Sequence, residues 1–78
     1  MKVFNYNAAK SGAPVQTRDG RKARIICWDY KGVNPELEII AIITEREGFE
    51  ETSYHYGDGR SMKGYPCVDD LVMVSEGD

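Results

Sequence analysis

The chain has little of what most chemistries require. One histidine, His55, and two cysteines, Cys27 and Cys67, are its only imidazole and thiol groups, and no Cys-x-x-Cys or paired-histidine spacing gathers them into a metal site. A lone His55 has no placed second group with which to share a proton, so general acid–base chemistry lacks its pair. The glycines are scattered at turns and form no run that would cradle a phosphate. These absences point away from an enzyme and imply no cofactor and no metal.

Long apolar runs are also missing. The longest, Ile39-Ile40-Ala41-Ile42-Ile43, is far too short to cross a bilayer. Met1-Lys2-Val3-Phe4-Asn5 is not followed by the apolar core of a secretory signal. The expectation is a cytoplasmic protein without membrane contact, whose thiols stay free and whose Cys27 serves as a small core hydrophobe.

What remains, 41% hydrophobic and 29% charged residues, suits a folded chain rather than a disordered one. Residues 1–78 read as one domain, and at this size only about 60% of the unfolded surface is buried on folding. The fold class reads as mainly β: a small five-stranded, strongly bent sheet or partly open SH3-like barrel with one short N-terminal helix.

Residues 15–30 organise that reading. Asp19-Gly20 lies between two strand-forming runs, a strong hairpin signal. A two-residue loop there sets Arg18 against Arg21, and like charges directly opposite are unfavourable. A three-residue loop, Arg18-Asp19-Gly20 with Gly20 at positive φ, instead aligns Val15 with Ala23, Ala13 with Ile25 and Thr17 with Arg21. Ala23, Ile25 and Cys27 then share one face. Arg24, Ile26 and Trp28 share the other, which needs a cover of its own.

Before the hairpin, Asn5 is a helix N-cap, Ala8-Ala9 favour helix, and Gly12 with Pro14 stops it. A helix this short needs Phe4, Tyr6 or Ala9 as an anchor, and the face with Ile26 and Trp28 is the expected berth. After Pro35, residues 36–44 read as a strand apolar on both faces and central in the sheet. Residues 49–56 read as a half-exposed strand and residues 69–74 as a short last one, at an edge or closing against the first. Asp58-Gly59-Arg60 repeats Asp19-Gly20-Arg21, but the flanks differ, so shared turn chemistry rather than duplication explains it. The tail, Ser75-Glu76-Gly77-Asp78, is expected to be mobile.

Charge is uneven along the chain. Residues 1–32 carry seven Lys or Arg against two acids, and residues 33–78 carry three against eleven. The acids Glu45, Glu47, Glu50 and Glu51 lack the spacing of a calcium loop and read as a solvated turn. Asp69-Asp70 reads as charge that blunts an edge strand. Arg18, Arg21, Lys22 and Arg24 surround the hairpin tip, where a β-ribbon can meet phosphates. Trp28, Tyr30, Tyr54 and Tyr56, with Tyr65, offer either a recognition groove for an extended peptide or core.

The run Thr17-Arg18-Asp19-Gly20-Arg21-Lys22-Ala23-Arg24-Ile25-Ile26-Cys27-Trp28-Asp29 is followed by an Ile-rich strand, a Tyr-containing strand, Asp58-Gly59-Arg60 and Asp70-Leu71-Val72-Met73-Val74. This pattern resembles a recurrent small domain in proteins of gut bacteria and their phages. The resemblance covers most of the chain after Phe4 and implies a bacterial or phage-derived context. It carries no assigned activity and no catalytic residues.

The expected function is a non-enzymatic binding or accessory module, contacting a protein partner through an exposed sheet edge or aromatic groove. Self-association through an unpaired edge of the Ile-rich strand is a second route to a partner. The alternative is a nucleic-acid-binding domain that uses the basic hairpin Arg18, Arg21, Lys22 and Arg24.

Overall fold

Three turns of one design set the architecture. In each, a residue i donates its N–H to the carbonyl of i+4 and accepts at its own carbonyl from a glycine at i+3: Thr17/Arg21 with Gly20, Glu45/Phe49 with Gly48, and Tyr56/Arg60 with Gly59. This is the three-residue loop with a glycine bulge. At the first, Gly20 has φ +93°, and the strands align Val15 with Ala23, the register expected from keeping Arg18 away from Arg21. The Asp-Gly-Arg repeat is therefore shared turn geometry.

The computed structural model describes residues 2–62 and 64–74; the tail expected to be mobile lies outside them. Its elements are β1 (Lys2–Val3), α1 (Tyr6–Lys10), β2 (Val15–Thr17), β3 (Lys22–Cys27), β4 (Ile39–Thr44), β5 (Glu50–His55) and β6 (Leu71–Met73). They form a mainly β fold with one open antiparallel sheet in the order β1-β6-β2-β3-β4-β5. The two-residue β1 adds a strand that no local pattern announced. It covers β6, which also pairs with β2, so the last strand is interior rather than an edge. At the other end of the chain of turns, Leu71 donates its N–H to the Gly59 carbonyl at 2.9 Å, which bends the sheet until the β5 side meets β6.

β4 is central as expected: Ile39, Ala41 and Ile43 are buried, while Ile40, Ile42 and Thr44 are partly covered on the opposite face. Both of its edges are paired, so no unpaired edge of the Ile-rich strand exists for self-association. The sheet's two edges are the two-residue β1 and β5, and β5 is the longer.

The face assignment of Trp28 needs correction. Ile25 lies opposite Ala41 but Cys27 lies opposite Ile40, so β3 advances two residues while β4 advances one. That is a β-bulge, and it reverses the alternation beyond it. Ile26 is left 56% exposed, and Trp28 turns inward to pack with Ala23 and Ile25 against Ile39, Ala41 and Leu71.

The helix berth changes with it. Asn5 caps α1 by accepting from the Ala8 N–H at 3.0 Å. Ala9 is buried against Val15 and Met73, with Phe4 packed beside them. The Tyr6 ring meets Trp28 edge-on at 5.0 Å. The helix thus closes the inner face, not the face that carries Ile26. No helix among the described residues is long and apolar enough to cross a membrane.

Candidate functional site

The hairpin cations are drawn into the fold by carboxylates remote in sequence. Arg18 donates to the Asp70 carboxylate at 3.0 Å. Arg21 donates to Asp19 at 2.9 Å, to Glu45 at 3.0 Å and to Asp69, tying three turns at one end of the sheet. Arg24 reaches Glu50 at 3.1 Å on the exposed face, and Lys22 is solvent-facing. The hydrogen bond to Asp19, then that to Asp69, raises the Arg21 guanidinium above its ordinary value. The Thr17 hydroxyl, then Arg21, holds the Asp19 carboxyl below the usual range.

Asp70 is the organising acid of the long loop, a role that the reading of Asp69-Asp70 as edge-blunting charge does not give it. It is 1% exposed and accepts from the Ser61 N–H at 3.1 Å, the Cys67 N–H at 3.1 Å and Arg18. Desolvation, the largest single influence, pushes its carboxyl upward. The two amides and Arg18 together outweigh it, so the net direction is down. Nothing local distinguishes Asp70 from the half-exposed Asp69 beside it; the expectation of an edge blunted by charge fails because β1 and β2 cover β6 on both sides.

The aromatic set is dispersed over the fold, with Tyr65 exposed in the loop before β6. Trp28 is in the core. Tyr56 lines a cleft of about 410 Å³ with Glu36, Glu38, Asp58 and Arg60. Tyr30 and Tyr54 sit on the outer face, 37% and 44% exposed, with ring centroids 5.5 Å apart. Tyr54 lies opposite Ile40, and Thr52 opposite Ile42, so the outer face of β4 and β5 presents half-covered aliphatic and aromatic side chains beside the sheet edge. The outward role of Ile40 and Ile42 was legible in the two-sided apolar pattern of β4.

His55 is fully buried. Its Nδ1 lies 3.0 Å from the Gly59 carbonyl and its Nε2 2.7 Å from Ser53 Oγ. A carbonyl only accepts, so Nδ1 carries the proton, and in the neutral ring Nε2 accepts from the serine hydroxyl. Burial pulls the imidazole below its ordinary value, against an opposing pull from the Gly59 hydrogen bond. The ring ties β5 to the turn at Gly59, which also meets Leu71. Cys27 and Cys67 are free thiols, and Cys27 Sγ lies 3.4 Å from Asp29 Oδ1. No group of three or more His, Cys, Asp or Glu among the described residues is placed to hold a metal ion.

Set against known proteins, residues 1–67 match a family model described as Haemophilus phage HP1 protein YO09. No curated protein and no solved structure matches. The matched span runs from β1 through β5 and the following turn; β6, which lies between β1 and β2 in the sheet, falls beyond it.

Proposed function

The chain belongs to the Haemophilus phage HP1 protein YO09 family, and from that premise and the geometry above we propose that it is a non-enzymatic binding or accessory module that contacts a protein partner. The observation that carries this reading is the exposed Tyr30–Tyr54 pair beside the unpaired edge of β5. Exposed aromatics next to a free edge combine apolar area with backbone hydrogen-bonding capacity, the two resources that recognise an extended peptide. In this reading the bent sheet works as SH3-like modules do. Its setting is the cytoplasm of a bacterium, gut bacteria among them, or of a phage-infected cell.

The nucleic-acid alternative loses weight from the arginines. Arg18, Arg21 and Arg24 each already meet a carboxylate of the same chain, and phosphate binding would have to displace those partners. Affinity capture from host lysate with the native chain and with Tyr30→Ser/Tyr54→Ser tests the module. The expected result is one protein retained by the native chain and lost with the double variant, while melting is unchanged. Retention of DNA or RNA that is lost on Lys22→Ala/Arg24→Ala would overturn the reading in favour of the nucleic-acid one.

A further inference from the structure

The edge of β5 has a definite polarity of charge and hydrogen bonding. In the β4–β5 ladder, Glu45 donates its N–H to Phe49, so the pairs that exchange hydrogen bonds continue as Ile43/Glu51, Ala41/Ser53 and Ile39/His55. The intervening residues, Glu50, Thr52 and Tyr54, therefore turn their N–H and C=O groups away from β4. The next in that series, Tyr56, gives its N–H to Arg60. The open slot is thus three residues of ladder long, bounded by the turn before Phe49 and the turn after Tyr56. Among the described residues no hydrogen bond uses the backbone groups of Glu50, Thr52 or Tyr54.

The side chains around this slot are acidic at one end and aromatic at the other. Glu47, Glu50 and Glu51 are exposed at its start. Glu50 shares only the exposed Arg24, and Glu47 and Glu51 enter no ion pair among the described residues. Tyr54, backed by Tyr30, stands at its far end. A second copy is a poor occupant: antiparallel pairing of β5 with itself about Thr52 sets Glu50 opposite Tyr54 and Glu51 opposite Ser53, so four carboxylates enter one short ribbon and the facing strand brings them no cation.

We propose that the free edge of β5 receives, antiparallel, a short extended segment of another protein that reads apolar-x-x-basic-basic from its N-terminal side. The apolar residue lies over Tyr54, and the two cations lie opposite Glu51 and Glu50. The segment's own backbone pairs with Glu50, Thr52 and Tyr54. This names the partner chemistry of the binding module proposed above and rests on that reading.

The test is titration of the isotope-labelled chain with a synthetic peptide of this pattern, a scrambled peptide of equal composition and an acidic counterpart. Binding of the patterned peptide alone, with hydrogen-exchange protection at Glu50, Thr52 and Tyr54, is the expected result. Thr52→Pro removes one edge N–H at a position where proline is tolerated, so it abolishes binding while leaving the melting transition in place. Glu50→Lys/Glu51→Lys weakens binding about two- to thirtyfold, the scale of two exposed ion pairs, and gains the acidic peptide. Equal binding by the scrambled peptide, or protection elsewhere than β5, overturns the proposal. So does a dimer that Thr52→Pro dissociates, since that makes a second copy the occupant. Loss of peptide binding with lysate capture still dependent on Tyr30 and Tyr54 refutes the edge and spares the module; failure of both refutes both.

Discussion

Replacing Asp70 by alanine should cost more stability than any other single change at the surface loops. The carboxylate satisfies two backbone amides, those of Ser61 and Cys67, and one guanidinium. Its loss strands two partly buried donors at about 1–2 kcal/mol each, toward the lower part of the range for unmet hydrogen bonds. Arg18, 40% exposed on its side chain, rehydrates and adds less than about 1 kcal/mol. The expected sum is about 2–5 kcal/mol, a large share of the roughly 4–12 kcal/mol that 78 residues ordinarily command.

Urea unfolding followed by the fluorescence of Trp28, the single tryptophan, measures the loss. With a slope of about 1 kcal/mol per molar urea for a chain of this size, the midpoint falls by about 2–5 M. Asp69→Ala, which removes only an exposed partner of Arg21, should shift it by less than about 1 M. Asp70→Asn keeps one accepting oxygen but points an amide group at a donor, and falls between the two. If Asp70→Ala and Asp69→Ala unfold at the same urea concentration, the hub assigned to Asp70 does not exist.

Three further outcomes follow from the same geometry. His55 is neutral and buried with its titration pulled down, so the unfolded chain binds the proton first. Stability is therefore full above about pH 6.5 and is lost as pH falls toward the lowered folded value; His55→Gln should flatten that part of the urea-midpoint profile against pH. Gly20→Ala should cost about 1–2 kcal/mol for positive φ alone, with open space around it, whereas at Gly59 a Cβ would stand 2.7 Å from the Phe4 ring, so thermal melting should rank Gly59→Ala well below Gly20→Ala. Ile26→Ser should change stability by less than about 0.5 kcal/mol while Trp28→Ala costs about 3–5 kcal/mol; equal losses by calorimetry would remove the bulge between Ile25 and Cys27.

What could be read from the sequence was what neighbours decide. The Gly20 turn and its register followed from Asp-Gly chemistry and from the repulsion of Arg18 and Arg21, both confined to a few residues. The Asn5 cap, the Gly12 stop and the two-sided strand at Ile39–Thr44 were local in the same sense. Trp28 was misplaced because one extra residue at Ile26 reverses a face, and strict alternation contains no term for it. Its trace was the adjacent pair Ile25-Ile26, two branched aliphatics where alternation allows one buried. β1 was missed because a two-residue strand has no period, and it forms only because β6 offers an edge.

The charged residues show why a candidate site is harder to read than a fold. In the chain the cations precede the acids, and the hairpin looks like a basic finger. In space β6 lies beside β2 and the β4–β5 turn lies beside the β2–β3 turn, so Arg18 meets Asp70 across 52 positions and Arg21 meets Glu45 across 24. An arginine that holds a carboxylate in a half-buried setting must exchange one partner for another to bind phosphate, and it gains little by doing so. Acids outnumber bases overall, and among the described residues Glu47 and Glu51 enter no ion pair beside the long unpaired edge of β5. Under the proposed reading, these carboxylates are what a basic partner segment meets at the β5 edge, and Arg18 and Arg21 serve as ties within the fold.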